Sequence, residues 1–307
     1  MSSTSSLEPA SGAAELLLAE ERAAIDAALG RFCARYLDTA PGALSEAIRY
    51  SVLGGGKRLR GILVVEAYRA CGGRGDASEL AGAVEVVHAY SLVHDDLPCM
   101  DDDSMRRGRP TVHRVHGVPA ATAAGVAMVP LAVRCALHAA RALELPGGVA
   151  AAIVQELMTA AGAGGMIGGQ LLDLEGEGLA LTLTELERIH RMKTGALITA
   201  SVRIGGLAAG ADERRLDALG RYGAAVGLAF QIADDVLDVT ATTDVLGKTA
   251  GKDLAFRKST YPALLGVQGA TDRAAALVAE AREALDAVGL LTPTLDRLAR
   301  YTIARKS

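Results

Sequence analysis

The fold is decided by residues 77–103, which read ASELAGAVEVVHAYSLVHDDLPCMDDD. Apolar positions before the acidic run recur at spacings of three and four, as on the buried face of a helix. That face carries Leu80, Val84, Val87, Ser91 and Asp95. Because it is apolar until its last turn, we expect the Asp95 carboxylate to point into the interior or into a cavity. A carboxylate buried there without a cation would be very costly in free energy.

Similar periodicity runs along most of the 307 residues and predicts an all-α protein. Aromatic residues make up only 3% of the chain, whereas the strong helix formers Ala and Leu are abundant. We predict helices over residues 15–37, 44–52, 62–70, 77–96, 148–172, 183–192, 216–239 and 271–288. A T-x-x-E pattern at Thr184 and Glu187 predicts a capping box for one of these helices.

A single domain is expected over residues 15–307, since no linker divides the chain. Residues 1–14 are Ser-rich and contain neither Lys nor Arg, so we expect a disordered tail rather than a signal peptide. The two long connections, residues 97–117 and 240–259, each follow an acidic cluster. Polar loops in such places often form lids over a site.

The composition excludes several classes of protein. A formal net charge of −4 gives no global positive field for nucleic acid, so none is expected as a partner. The four cysteines are far apart and form no C-x-x-C pair, which favours reduced thiols in a cytoplasmic protein. Two uncharged stretches, residues 117–133 and 157–172, fall short of the roughly 18–20 residues of a membrane span. We expect buried core helices there and no membrane span.

Two acidic clusters stand out. The first places five carboxylates within residues 95–103, and the second is Asp234-Asp235-Val-Leu-Asp238. In the second, Asp234 and Asp238 lie one helical turn apart on a stripe with Gly227 and Gln231. Stacked carboxylates repel unless a cation lies between them, and oxygen-only ligands suit Mg²⁺ shared with substrate phosphates. Either cluster alone could equally be a solvated charged patch; two clusters on inward-facing helices favour a metal site.

Three groups of Lys and Arg residues could balance the charge of these carboxylates or bind anions near them. Residues 54–60, GGGKRLR, combine a flexible Gly run with three positive charges, and Arg106-Arg107 follow the first acidic cluster directly. A third group consists of Lys193-Thr194, Lys248 and Lys258. Any one group could be a solvated surface. Their alternation with carboxylates predicts a site for two diphosphates, one held through metals and one held directly by Arg and Lys.

Seven segments in order carry a family resemblance: GGGKRLRG, HAYSLVHDDLPCMDDDSMRRGRPTVH, GGQLLDL, KTG, FQIADDVLD, GKTAGKD and KSTYPALLG. This series, from residue 51 to residue 266, resembles that of the bacterial short-chain trans-polyprenyl diphosphate synthases, which make farnesyl or geranylgeranyl diphosphate. The resemblance implies one isoprenoid-synthase-type helical bundle around a central cavity, as a homodimer. It also implies a transferase that joins an allylic diphosphate (dimethylallyl or geranyl) to isopentenyl diphosphate and releases diphosphate.

The resemblance also implies a role for each matching residue. The metal ligands would be Asp95, Asp96, Asp101, Asp234, Asp235 and Asp238, with about three Mg²⁺ per site, replaceable by Mn²⁺. The allylic diphosphate and the carbocation would be met by Arg106, Lys193, Thr194, Gln231, Lys248, Gln170, Asp173 and Lys258. Isopentenyl diphosphate would be gripped by Gly56, Lys57, Arg60, His88 and Arg107. The other histidines that we considered, His113, His116, His138 and His190, are taken as structural.

Chain length is expected to depend on the residues just before the first cluster. Tyr90 lies five residues before Asp95, about 7.5 Å down a helix axis. A bulky ring there favours the C15 product, farnesyl diphosphate, whereas the small Ser91 leaves the C20 product as the alternative. Two departures from the family pattern are Gly61, where Pro is usual, and Val126, which replaces an acid. Pro130 should kink or shorten the helix that contains Val126.

Three other functions remain as alternatives. A terpene cyclase would need a second metal motif with Asn, Ser and Glu, and would have no use for residues 56–60. A metal-dependent phosphohydrolase, suggested by His94-Asp95, would need further His ligands on its helices. A non-catalytic regulatory subunit would tend to lose the acidic residues that are all retained here.

Overall fold

The computed structural model describes residues 18–240 and 259–304. Its helices are α1 Ala19–Tyr36, α2 Gly42–Val52, α3 Leu59–Ala70, α4 Ser78–Asp95, α5 Val112–His116, α6 Val118–Ala142, α7 Gly147–Ala161, α8 Met166–Glu175, α9 Leu183–His190, α10 Ala196–Ala208, α11 Glu213–Thr240, α12 Tyr261–Asp286 and α13 Pro293–Ala304. A π-helical turn, Arg191–Gly195, joins α9 to α10 and is called the π-turn below. The strands β1 Met105–Arg106 and β2 Arg109–Pro110 form a short antiparallel hairpin. The predicted all-α class is confirmed.

Helix α4 lies at the centre of the bundle. It contacts α1, α2, α3, α6 and α10, and most of its side chains are buried. A helix that is apolar on nearly every side can be accommodated only if neighbours surround it. The sequence of α4, with Val, Ala and Leu around its circumference, therefore fixes this helix in the core. Its last residue, Asp95, reaches the end of the core where the cavity opens.

Small residues let the helices approach closely. At Gly205 on α10, an added Cβ would lie 2.3 Å from the backbone oxygen of Val64 on α3. No side chain can be placed there without moving one backbone relative to the other. The abundance of Gly and Ala, in place of aromatic residues, is thus a packing requirement of this bundle.

Several predicted helix boundaries need correction. The helix predicted over residues 148–172 is interrupted between α7 and α8, where the Gly-rich residues 162–165 leave the helical conformation. The capping box uses Thr182 and Glu185 rather than Thr184 and Glu187, so that prediction was wrong by two residues. The predicted connection at residues 97–117 contains the hairpin and α5.

Pro130 does not shorten its helix. Helix α6 runs for 25 residues, and Pro130 lies inside it. Proline removes one N–H and deprives the carbonyl four residues earlier of its usual partner, here that of Val126. Both residues are exposed in this chain, so that carbonyl lies on the side of the helix that faces solvent.

Two helical stretches, Val118–Ala142 and Gly147–Glu175, are long and apolar enough to cross a membrane by length and composition alone. This is weak evidence for a span, because the core helices of soluble proteins pass the same test. In the bundle, α6 packs one face against α4 and α2.

Replacing Gly205 by Ala should destabilise the protein by about 1–3 kcal/mol, because the new methyl group forces α3 and α10 apart. Gly30 on α1 is the matched control, since an added Cβ there would meet nothing within 4 Å. Gly30→Ala should be neutral or stabilise the helix by roughly 0.5–1 kcal/mol. Urea denaturation measures both; equal free energies of unfolding for the two variants would contradict the close approach of α3 and α10.

Candidate active site

A cavity of about 540 Å³ opens at the end of α4 and brings together most of the residues singled out in the sequence. Those that line it are Arg60, His88, Ser91, Asp95, Asp101, Arg106, Arg107, Gln170, Asp173, Lys193, Thr194, Gln231, Asp234, Asp235 and Asp238. Gly56, Lys57, Tyr90 and Asp96 do not contribute to the lining. Lys248 and Lys258 lie outside the described residues.

The first acidic cluster folds back on itself. The backbone N–H of Asp101 donates to the carbonyl of Asp95 at 2.9 Å, which returns Asp101 to the side of the cavity where Asp95 lies. Pro98 and Cys99 occupy the exposed outside of this turn. The Asp101 carboxylate also accepts a long hydrogen bond, 3.5 Å, from the side-chain amide of Gln170 on α8.

Burial raises the pKa of Asp95 from its usual 3.8 to about 6. The negative charges of Asp101 and Asp96 raise this pKa further, whereas the positive charges of Lys193 and Arg106 lower it. Desolvation thus outweighs the nearby cations, because the carboxylate lies at the inner end of an apolar helix. A cation bound at the cavity would favour the ionised form.

Asp96 has a different environment from Asp95. It is 3% exposed and accepts a hydrogen bond of 2.8 Å from Nε of Arg106, the second residue of β1. A charge-assisted contact of this kind fixes the hairpin against the end of α4. The sequence places Asp96 among the metal ligands, but in the fold it holds Arg106 at the cavity wall.

The second acidic cluster lies on α11. Asp234 and Asp238 both line the cavity, one turn apart as predicted. Asp238 is buried, and its Oδ2 atom has no hydrogen-bond partner among the described residues. Asp235 is instead engaged by protein groups: its Oδ2 accepts the backbone N–H of Tyr261 at 3.0 Å, and its Oδ1 accepts from Gln231 at 3.4 Å.

The π-turn supplies a cation and a hydroxyl to the same wall. Nζ of Lys193 lies 2.7 Å from the carboxylate of Asp173 on α8, and the Thr194 hydroxyl donates to Oε1 of Gln231 at 2.9 Å. Gly169 makes the close approach of α8 possible, since a Cβ there would lie 2.2 Å from the backbone nitrogen of Lys193. Turns with i→i+5 bonds are rare and recur at functional sites.

A second group of cations also lines the cavity. Arg60 lies 3.3 Å from the Nε2 atom of His88, and its own Nε is buried with no hydrogen-bond partner among the described residues. Burial and the neighbouring positive charges of Arg60 and Arg107 hold the pKa of His88 well below its usual 6.5. His88 is therefore neutral, and Arg60 brings a guanidinium to the cavity lining.

The Gly-rich loop is shaped around these cations. Gly56 has a φ of +132°, and a Cβ there would lie 2.7 Å from the Arg107 guanidinium, which donates to the carbonyl of Gly55. Lys57 lies over the ring of Tyr301 on α13, 5.7 Å from its centroid. Both predicted residues of this loop therefore border the cation group without lining the cavity.

Arg58 does not line the cavity, although the sequence counts it with these cations. It is 5% exposed and pairs with Asp26 at 2.8 Å. It also lies near Glu85, whose carboxylate accepts the backbone N–H of Gly61 at 2.8 Å. A proline at position 61 could not make this bond, so the departure at Gly61 adds a buried hydrogen bond at the start of α3.

Sequence reasoning missed His190. It is 8% exposed, lines the cavity, and its Nε2 atom lies 3.4 Å from Asp235. It is the last residue of α9, directly before the π-turn that carries Lys193, and its position three residues before Lys193 is the one signal in the sequence. One of the histidines taken as structural therefore lines the cavity, and its role stays a prediction.

The chain-length residues divide between wall and core. Ser91 lines the cavity, and its hydroxyl donates to the carbonyl of His88 at 2.9 Å. The Tyr90 ring is buried edge-on against His94, with the centroids 5.1 Å apart. The role of Tyr90 as the pocket floor stays a prediction.

The residues present fit Mg²⁺ that is shared with a phosphorylated ligand. Among the described residues, no three His, Cys, Asp or Glu side chains converge to cage a metal ion. Mg²⁺ is usually held by one or two carboxylates plus substrate phosphates, so a full cage is not required. Among the described residues the Oδ2 of Asp238 has no hydrogen-bond partner, and burial raises the pKa of Asp95 despite the nearby Lys193 and Arg106, so a bound cation would stabilise both carboxylates.

A family model described as Polyprenyl synthetase matches residues 41–288. The chain belongs to the polyprenyl synthetase family. That membership confirms the resemblance.

Similar proteins within the family differ in the products that their names give. A farnesyl diphosphate synthase of Escherichia coli is 47% identical, over 85% of this chain and 88% of that protein. A chloroplastic geranylgeranyl pyrophosphate synthase of Arabidopsis thaliana is 43% identical, over 80% of this chain and 69% of that protein. The solved structure of an FPP/GFPP synthase from Zymomonas mobilis superposes with a TM-score of 0.82 at 33% identity, covering 95% and 99% of the two chains.

The raised pKa of Asp95 predicts a pH-dependent stability in protein freed of divalent metal. A carboxyl group with a folded-state pKa of about 6 stabilises the fold fully below 3.8, and that contribution is lost as pH rises through about 6. The free energy of unfolding of the wild type should therefore fall over this range, and Asp95→Asn should abolish that fall. Asp102→Asn is the control, since Asp102 is exposed. Urea denaturation in a chelating buffer at several pH values measures this, and parallel curves for wild type and Asp95→Asn would contradict it.

Proposed function

We propose that the protein is a Mg²⁺-dependent prenyltransferase that joins an allylic diphosphate to isopentenyl diphosphate and makes farnesyl diphosphate. The observation that carries this proposal is that one cavity brings together two kinds of anion-binding group. The first, called the acidic side below, is the set of oxygen ligands from the two acidic clusters. The second, called the basic side below, is Arg60 beside neutral His88, and the Nε of Arg60 has no hydrogen-bond partner among the described residues. The family membership and the farnesyl diphosphate synthase relatives support the same activity.

The acidic side would hold the allylic diphosphate. Asp95, Asp101, Asp234 and Asp238 are the residues that would bind Mg²⁺, which when bound neutralises the diphosphate and stabilises it as a leaving group. Lys193 can donate directly to a diphosphate oxygen, because its ammonium group is already at the cavity wall. Positive charge fixed in advance costs no reorganisation when the allylic C–O bond breaks.

The basic side would hold isopentenyl diphosphate. The Arg60 guanidinium and the neighbouring Arg107 supply donors, and His88 orients Arg60 through a contact of 3.3 Å. Both substrates then approach the same cavity from different walls. Holding two reactants in one geometry removes much of the entropic cost of a bimolecular step.

The carbon chemistry needs little from protein acids or bases. As the allylic C–O bond breaks, the electron pair of the isopentenyl double bond forms the new C–C bond, and the released diphosphate can accept the proton that is lost. Gln231 and Thr194, hydrogen-bonded to each other at the wall, can orient their oxygen dipoles towards the transient positive charge. Neither a terpene cyclase nor a phosphohydrolase has a second diphosphate substrate that would occupy the basic side.

Product chain length provides the direct test of this function. With Mg²⁺, isopentenyl diphosphate and each of dimethylallyl, geranyl and farnesyl diphosphate, mass spectrometry should show a C15 end point. Tyr90→Ala should lengthen the product, because it removes the bulky ring five residues before Asp95 that the sequence predicts to limit chain growth. Tyr90→Phe is the matched control and should keep the C15 product. A C20 end point in the wild type would favour the geranylgeranyl alternative, and no condensation with any primer would overturn the proposal.

We also propose that the enzyme is a homodimer that pairs through the outer face of α6. This face carries the exposed apolar residues Val118, Val126 and Leu137, with the exposed Arg134 and Arg141 towards its end. Exposed apolar side chains on one helix face favour burial against a second copy. Val126→Glu should shift the molar mass measured by light scattering from dimer to monomer, whereas Val267→Glu on α12 should not. A wild-type monomer at micromolar concentration would contradict this assignment.

A further inference from the structure

A buried group of side chains connects the second acidic cluster to the start of α12. It consists of Glu187 and His190 on α9, Asp235 on α11 and Tyr261 on α12, and it is called the clamp below. The Tyr261 ring stacks on the His190 imidazole, with centroids 5.8 Å apart and an interplanar angle of 18°. Tyr261 is fully buried and His190 is 8% exposed.

The clamp surrounds the carboxylate of Asp235. Its Oδ2 atom accepts the backbone N–H of Tyr261 at 3.0 Å and lies 3.4 Å from Nε2 of His190. Its Oδ1 atom lies 3.4 Å from the side-chain nitrogen of Gln231, one turn earlier on α11. Both oxygens are therefore committed to protein groups, in contrast to the unsatisfied Oδ2 of Asp238.

The far end of the clamp is also fixed. The Tyr261 hydroxyl donates to Oε1 of Glu187 at 2.8 Å, and Glu187 lies 3.2 Å from Arg191 and 3.8 Å from Arg273. Burial, together with the hydrogen bond to Glu187, raises the pKa of Tyr261, so its hydroxyl stays protonated and can donate. Helices α9, α11 and α12 are thereby held at one point.

Two short connections link the clamp to the residues that would bind the allylic diphosphate. Asp235 lies between Asp234 and Asp238 on α11. The contacts that hold its side chain therefore help to fix the rotation of α11 about its axis, and with it the directions of the Asp234 and Asp238 side chains. Gln231, which contacts Asp235, also accepts a hydrogen bond of 2.9 Å from the Thr194 hydroxyl, and Thr194 follows Lys193 in the π-turn. A shift of the clamp would move the acidic ligands and the lysine together.

We propose that His190 is a positioning residue for the proposed reaction: with Tyr261 it holds Asp235 as a structural anchor, so that Asp234 and Asp238 are presented to the metal-bound diphosphate. The inference rests on the proposed function and deepens it, since it assigns the sequence-predicted metal ligand Asp235 to the protein side of the site. Outer groups that orient metal ligands typically change affinity or activity by about 10–100-fold when they are replaced.

The test replaces the imidazole while keeping its stacking. His190→Phe retains a ring against Tyr261 but loses the nitrogen beside Asp235, whereas His190→Gln restores a polar nitrogen there. His138→Phe is the matched control, since His138 is partly exposed on α6 near Glu79. We expect His190→Phe to lower kcat about 10–100-fold with KM for isopentenyl diphosphate within about twofold of the wild type, and His190→Gln to recover part of the loss.

A second readout does not depend on turnover. Mg²⁺ with inorganic diphosphate should raise the thermal midpoint of the wild type and of His138→Phe, and should raise that of His190→Phe distinctly less. Asp235→Asn combined with His190→Phe should be no worse than the more damaging single change, because the two residues act as a unit. If His190→Phe fails to fold, the same thermal midpoints are measured for His190→Gln instead.

The outcomes separate this inference from the function on which it rests. A wild type that condenses no allylic primer overturns the proposed function, and this inference with it. A wild type that is active, together with a His190→Phe variant of wild-type kcat and wild-type thermal response, overturns the role of His190 alone. A uniform loss in which both KM values rise and the metal-diphosphate response is unchanged makes His190 merely structural and also overturns it.

Discussion

The burial of carboxylates around one cavity is the constraint on which the rest of the structure depends. Asp95 ends α4, and Asp234 and Asp238 lie along α11, all facing one cavity. Burial makes the charge of Asp95 costly, and one oxygen of Asp238 has no hydrogen-bond partner in the part of the chain that the structure describes. These groups are tolerated because the fold surrounds them with cations and leaves room for a ligand that brings metal. The buried carboxylates lower the folding stability of the free protein, and a ligand that brings metal would recover this free energy on binding.

The remainder of the bundle keeps this arrangement rigid. Helix α4 is fixed because it is enclosed on nearly every side, and Gly169 lets α8 lie directly against the π-turn that carries Lys193. Salt bridges that involve site residues hold the walls: Arg106 with Asp96, and Lys193 with Asp173. The Gly61–Glu85 hydrogen bond does the same at the start of α3, next to Arg60. Preorganised walls are the expected basis of catalysis by positioning and electrostatics.

The sequence predicted the all-α class, the inward face of Asp95 and the stacking of Asp234 on Asp238, because helical periodicity depends only on local spacing. It could not distinguish the environments of neighbouring residues on one helix. Asp96 and Asp235 share motifs with Asp95 and Asp234, yet each also has a tertiary partner, Arg106 for Asp96 and Tyr261 for Asp235. Likewise Arg58 is buried between Asp26 and Glu85. His190, the last residue of α9, meets Asp235 at the cavity wall through the packing of α9 against α11, which local spacing does not show.

The most direct test of the account is calorimetric titration of the protein with inorganic diphosphate, with and without Mg²⁺. Asp95→Asn, Asp234→Asn and the double variant complete the measurement. If both acidic clusters act on one metal-bound diphosphate, the binding that Mg²⁺ adds should weaken strongly in either single variant and should weaken little further in the double variant. No added binding with Mg²⁺, or losses that add fully in the double variant, would show that the two clusters do not form one site.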